Sequence, residues 1–142
     1  MPHTYVASYY HCVFSTKRRR KIITEDLEER LFPYLGGIAR ANEMKLLSVG
    51  GMPDHVHLLL SLPPTMPISK AVQLIKGNAS HWINQNFRSA GRFEWQAGYG
   101  AFTVSVRDLE RTRNYIQNQK KHHSKRSFNE EFRAFLERNG LA

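Results

Sequence analysis

Cysteine is almost missing from this chain: Cys12 is the single one in 142 residues. An internal disulfide is therefore excluded, and the usage suits a reducing compartment. No apolar run approaches the roughly 20 residues that a membrane-spanning helix needs. The N-terminal stretch lacks the apolar h-region of a secretory signal, so a cytoplasmic protein without a membrane partner is expected. Acidic residues are also scarce, with 12 Asp and Glu against 21 Lys and Arg, which leaves a formal charge of +9. A small domain this basic is expected to meet a polyanion, most often nucleic acid. There is no internal repeat and no long linker. With 41% hydrophobic residues, the chain has the length and composition for one domain, residues 1–142, around a real core.

The pattern along the chain alternates strands and helices. Residues 5–16 are rich in β-branched and aromatic side chains and read as a first strand. Thr24 is a suitable N-cap, with Glu25, Asp26 and Glu28 in the first turn, and Leu27, Leu31, Tyr34, Leu35 and Ile38 recur at helical spacing to about Ala41. Residues 44–49 and 55–62 read as two strands of a hairpin, joined through Gly50-Gly51 and Pro53-Asp54. Ile68, Val72, Leu74, Ile75 and Trp82 mark a second helix to about Phe87. A Gly- and aromatic-rich loop spans residues 89–100, followed by a short strand over 101–106. A helix is predicted from Asp108 through Tyr115 and Gln119, and a last short one over residues 129–138. The order β-α-β-β-α-β is the ferredoxin-like α+β pattern, an antiparallel sheet with helices on one face, here with additional C-terminal helices.

Two motifs carry chemistry. In His55-Val56-His57 the histidines are two apart on a predicted strand, so both imidazoles project from one face. At about 6–7 Å along the strand they can converge on one metal ion; two ordinary polar residues are the plainer alternative. Tyr115 and Gln119, four apart, share one face of a predicted helix. A Gln oxygen can ligate a hard divalent cation, and a Tyr hydroxyl can act as a nucleophile, although a lone Tyr is more often a packing residue. A histidine-triad hydrolase would want a third His where Leu59 stands. Paired His-x-Ser/Thr motifs of a two-histidine phosphoesterase are absent.

His55-Val56-His57 resembles the histidine–hydrophobic–histidine motif of the HUH nucleases, and Tyr115-x-x-x-Gln119 the tyrosine helix of their single-tyrosine transposases. With Tyr10 to Lys17, Met52 to Leu59 and Phe93 to Phe102, the chain is similar over nearly its whole length to insertion-sequence-200 type transposases. These include relatives associated with repetitive extragenic palindromes. The resemblance implies the ferredoxin-like fold, a divalent ion (Mg²⁺ or Mn²⁺) held by His55, His57 and Gln119, and Tyr115 as nucleophile. It implies a covalent 5′-phosphotyrosine on single-stranded DNA, ends marked by a hairpin, and a homodimer in which the tyrosine helix can complete the partner's site. Such a protein would be nucleoid-associated when active. A domesticated palindrome-specific nuclease and a noncatalytic RNA- or DNA-binding module are the rival readings.

Two basic runs are expected to contact DNA: Lys17, Arg18, Arg19, Arg20 and Lys21 after the first strand, and Lys120, Lys121, Lys125 and Arg126 after the tyrosine helix. The plainer reading of either run is a solvated surface. His122-His123 reads as surface or DNA-facing, because adjacent helical residues point in different directions. Trp95, Tyr99 and Phe102 could stack unpaired bases or pack in the core.

Overall fold

The computed structural model describes residues 3–87, 91–122 and 126–141. Four strands form one sheet: β1 (Tyr9–Ser15), β2 (Lys45–Met52), β3 (His55–Ser61) and β4 (Gly100–Thr103). Their order is β2-β3-β1-β4, and every neighbouring pair is antiparallel. The histidine strand β3 is therefore central, flanked by β1 and β2. Two long helices, α1 (Glu25–Ala41) and α2 (Ile68–Asn86), complete the ferredoxin-like order. Three helices follow: α3 (Leu109–Gln117), α4 (Gln119–His122) and α5 (Phe128–Arg138).

The period of two divides each central strand between two cores. Cys12 and Phe14 of β1 and Val56, Leu58 and Leu60 of β3 pack in one cluster with Leu27, Leu31 and Leu35 of α1 and Ala71, Val72 and Ile75 of α2. The alternate residues point the other way. His11 and Val13 of β1 and His55 and His57 of β3 lie under the C-terminal helices, where Val13, Phe102 and Phe135 form a second, smaller core. α1 starts as expected: the Thr24 hydroxyl accepts from the Leu27 N–H at 3.3 Å, with three acidic residues in the first turn.

Several predicted boundaries move. The first strand begins at Tyr9 rather than at residue 5, because its partner β3 ends at Ser61, opposite Tyr9. Tyr5 and Val6 are left exposed. Gly50 and Gly51 are not in the turn; they pair with His57 and Val56 inside the hairpin, whose turn is Pro53-Asp54. The fourth strand stops at Thr103, and residues 106–108 form a 3₁₀ turn. The predicted tyrosine helix is interrupted at Asn118, whose φ of −103° and ψ of 26° end α3 before α4 begins.

Gly50 decides how closely α3 can approach. A Cβ at this position would stand 2.0 Å from the carbonyl oxygen of Ile116. Only a glycine lets the backbone of α3 lie against β2 here. The contact is secured by the Arg113 guanidinium, which donates to the Leu47 carbonyl at 2.8 Å, and by the Ser48 hydroxyl on the Arg113 carbonyl at 3.4 Å. Tyr115 and Ile116 are thereby held over the sheet face that carries the histidines.

Candidate active site

The histidine rings project together from β3, with centroids 5.2 Å apart, and both are fully buried. Each is gripped at Nδ1. His55 Nδ1 lies 2.7 Å from Asp54 Oδ1, and His57 Nδ1 lies 2.8 Å from His11 Nε2. A carboxylate only accepts, so His55 carries its hydrogen on Nδ1 and donates it to Asp54. The Nε2 atoms of both rings are left facing a common point. Partners of this kind on the far nitrogen fix the tautomer and orientation of metal-ligating histidines.

Gln119 and Tyr115 come to that point as their spacing suggests, despite the break at Asn118. Gln119 is 1% exposed, and its Oε1 lies 3.4 Å from His55 Nε2. The Tyr115 ring stands 5.9 Å from the His57 ring of the same chain. One chain thus brings its own tyrosine to its own histidines.

A further residue, at the centre of the site, was not singled out in the sequence. It is Glu131 of α5, which is 1% exposed. Its Oε1 is 2.9 Å from His57 Nε2 and 3.5 Å from His55 Nε2. Its Oε2 accepts from the Tyr115 hydroxyl and from Gln119 Nε2, the latter at 3.2 Å. A local signal exists. Ser127 and Glu130 form a complete capping box, which accounts for one of two adjacent glutamates. The other, Glu131, falls three residues after Phe128 and four before Phe135, an acid inside an apolar helical stripe.

The electrostatics follow from burial and these contacts. At His55 burial opposes the charged ring, but the hydrogen bonds to Asp54 and Glu131 outweigh it and raise the pKa above the usual histidine value. At Glu131 burial favours the neutral acid, yet hydrogen bonds from His55, His57 and Tyr115 hold the carboxyl well below the ordinary range. Burial and then the hydrogen bond to Glu131 push the Tyr115 phenol above its usual value. His11 is driven to about 3 by burial and by its neighbour His57, so it is a neutral ring at physiological pH. Among the described residues, His55, His57 and Glu131 form a group whose ligand atoms lie within 4.8 Å of one another and could hold a metal ion. Two imidazole nitrogens, a carboxylate oxygen and the Gln119 oxygen fit a divalent cation.

Tyr115 also lines a cleft of about 410 Å³ on the outer side of the site, shared with His11, Phe102, Arg111, Phe135 and Arg138. On the other side of α5, Arg18, Arg19, Gln96, Tyr99, Phe128 and Phe132 line a second cleft of about 420 Å³. Arg18 and Arg19 have left-handed backbones, with φ of 57° and 52°. That conformation is uncommon and costly for non-glycine residues. The turn is held by the Arg18 N–H on Gln96 Oε1 and by the Thr16 hydroxyl on the Arg20 carbonyl.

The remaining basic residues are placed as follows. Lys17 pairs with Glu94 at 2.9 Å. Arg20, Lys21, Lys121 and Arg126 are exposed. Lys120 bonds Glu28 at 2.7 Å, tying α4 to α1. Lys125 and His123 lie outside the described residues. Trp95 donates to the Lys76 carbonyl and packs edge-on against Phe14, and Phe102 is buried, so both are packing residues; Tyr99 remains 41% exposed. No helix among the described residues is long and apolar enough to cross a membrane.

A buried His-x-His pair on the central strand of a ferredoxin-like sheet, with a helical tyrosine beside it, defines the class. The chain belongs to the family described as transposase IS200 like, whose model matches residues 4–119. It is an enzyme of DNA transposition by that membership. It is 29% identical to the ISDra2 transposase TnpA of Deinococcus radiodurans over 115 residues, covering 78% of this chain and 82% of that protein. It is 27% identical to the transposase for insertion sequence element IS200 of Salmonella typhimurium over 124 residues, covering 84% and 81%. A crystal structure from Deinococcus radiodurans described as a transposase superposes with a TM-score of 0.67 at 30% identity, covering 84% of this chain and 96% of that one. The REP-associated tyrosine transposase bound to a REP hairpin shares the fold, with a TM-score of 0.60 at 16% identity over 82% and 68% of the two chains.

Proposed function

We propose that this transposase is a metal-dependent single-strand DNA endonuclease and strand transferase with Tyr115 as its nucleophile. The observation that carries the reading is the Tyr115 hydroxyl donating to Glu131, the carboxylate that also contacts His55, His57 and Gln119. The Tyr115 oxygen attacks a phosphodiester phosphorus. The new P–Oη bond forms as the P–O3′ bond breaks, the phenol gives up its proton, and the departing 3′ oxygen leaves as a hydroxyl after taking one. The product is a 5′-phosphotyrosine and a free 3′ end. Because the bond energy is kept in the ester, a second strand's 3′-hydroxyl reverses the attack and joins the strands without ATP.

A free tyrosine is a poor nucleophile near neutral pH, and the burial of Tyr115 makes its phenol a weaker acid still. A bound Mg²⁺ or Mn²⁺ would supply the positive charge that polarises the scissile phosphate and favours the phenolate. His55, His57 and Gln119 would hold it, oriented by Asp54 and His11. The scissile strand would enter by the cleft at Tyr115. The cleft at Arg18 and Arg19 would take a neighbouring backbone, with Tyr99 as a stacking platform. The REP-associated tyrosine transposase of the same fold is bound to a REP hairpin, which supports hairpin DNA as the partner. Family resemblance supports a homodimer, and the placement of Tyr115 over its own histidines supports a resting form in which each protomer keeps its own tyrosine.

A labelled single-stranded oligonucleotide carrying a hairpin tests the reading. With Mn²⁺ the protein should become covalently attached to the 5′ end of the fragment downstream of the cut, seen as a shifted band on a denaturing gel. Tyr115→Phe should abolish the adduct and leave hairpin binding nearly intact. An adduct formed by the Phe variant would show that Tyr115 is not the nucleophile.

A further inference from the structure

We infer that Glu131 joins the metal to the nucleophile: its Oε1 is a protein ligand of the divalent ion, while its Oε2 holds the Tyr115 hydroxyl. The inference rests on the reading of His55 and His57 as metal ligands and of Tyr115 as nucleophile. The two carboxylate oxygens divide their contacts in the way these duties require. Oε1 faces the two Nε2 atoms, at 2.9 and 3.5 Å. Oε2 faces the Tyr115 hydroxyl and the Gln119 amide N–H. The far nitrogens of both rings are already engaged by Asp54 and His11, so the Nε2 atoms and Oε1 share one target.

Charge balance gives a second, independent argument. His55, His57 and Gln119 are neutral donors when they ligate, and a hard divalent cation is held by carboxylate and carbonyl oxygen in preference to imidazole alone. Glu131 is the anionic oxygen at the centre of this set. A buried carboxylate is costly unless its partners compensate it, and His55, His57, Tyr115 and Gln119 all contact this one.

The helix that carries Glu131 is built to keep it there. The Phe128 ring lies 4.5 Å from the His55 ring, tilted by 36°, and Phe135 stands edge-on 4.9 Å from His11. The Ser127–Glu130 capping box sets where α5 begins. α5 thus belongs to the catalytic apparatus as well as to the second core. Glu131 acts on Tyr115 as a positioning residue, fixing the hydroxyl against the ion.

Three proteins decide the matter: the parent, Glu131→Gln and Glu131→Asp. Each is titrated with Mn²⁺ by calorimetry in the absence of DNA, and its thermal transition is followed by circular dichroism. The Gln variant is nearly isosteric and should keep a cooperative transition. Its Mn²⁺ affinity should fall at least about tenfold, since even outer-shell partners of a metal are worth that much. Glu131→Asp keeps the charge but shortens the reach, and should also lose affinity; it carries the test if the Gln variant fails to fold. Adduct formation by the Gln variant should stay slow when Mn²⁺ is raised to saturation, because an amide whose oxygen faces the ion leaves only an N–H toward the hydroxyl and can no longer accept from it.

Unchanged Mn²⁺ affinity in both variants, with binding abolished by His57→Ala, would overturn the ligand role and leave the histidine site standing. Tighter binding in the Gln variant would make Glu131 a plug rather than a ligand and overturn it too. A parent that binds no Mn²⁺ would sink this inference and the metal-dependent mechanism together. Full recovery of the adduct rate at saturating Mn²⁺ would overturn the hold on Tyr115.

Discussion

His11 Nε2 lies 2.8 Å from His57 Nδ1, so one histidine of β1 sets the ring of another on β3. With His57 Nε2 turned to a metal, its Nδ1 must carry the hydrogen, and neutral His11 is there to accept it. His11→Phe keeps an aromatic ring in the cluster with Phe102 and Phe135 but removes the acceptor. Mn²⁺ affinity should fall about 10–100-fold. Calorimetry checks it; an affinity equal to the parent's would show that His57 needs no partner at Nδ1.

His55→Ala and His57→Ala, combined, should eliminate Mn²⁺ binding. Both rings are fully buried, so each truncation leaves a cavity and the thermal midpoint should also fall. The two effects separate by measuring binding below the transition temperature of the variant. Retained stoichiometric Mn²⁺ binding by the folded double variant would place the metal elsewhere.

Arg18→Gln, Arg19→Gln and Arg20→Gln together should weaken binding of a hairpin oligonucleotide and flatten its salt dependence. The slope of log affinity against log salt should drop by about 0.7–0.9 for each phosphate that the protein no longer neutralises. Filter binding across a salt series gives the slope. An unmoved slope would direct the strand away from the Arg18 and Arg19 cleft, towards Lys121 and Arg126.

Gly50→Ala should destabilise the fold by about 1–3 kcal/mol, as overpacking does. The added methyl meets the backbone carbonyl of Ile116, which has no rotamer to yield. Because α3 would have to lift, adduct formation by Tyr115 should fall at temperatures where the variant is still folded. Chemical denaturation and the adduct assay, run side by side, check both halves; a parent-like variant in both would mean the helix is not seated by this contact.

Cys12 should resist alkylation in the native protein. Its side chain is wholly buried between β1 and the helices, and burial pushes the thiol up to about 12. Iodoacetamide at pH 8 should label it only in denaturant, read by mass spectrometry. Rapid native labelling would show that the α1–α2 face opens.

Much of this site is local arithmetic. A period of two puts His55 and His57 on one face, and a spacing of four brings Tyr115 and Gln119 to one side even across the irregularity at Asn118. The order of strands and helices, the cap at Thr24 and the isolated, buried Cys12 were equally readable, because each depends on neighbours within a few residues. Other features were not. Nothing near Gly50 in the chain announces that Ile116 will press on it, so two strand glycines read as a turn. Tyr5 and Val6 look like strand residues until the length of β3 leaves them unpaired.

His11 and Glu131 lie 120 residues apart in the numbering, yet both end on the same two imidazoles. In sequence, His11 is one polar residue in an apolar strand, and Glu131 follows a glutamate that has a capping role of its own. What each does depends on which face of the sheet the C-terminal helices cover. That is settled by packing over long chain separations, where an acid in an apolar stripe becomes favourable only once the histidines, Tyr115 and Gln119 have gathered to meet it.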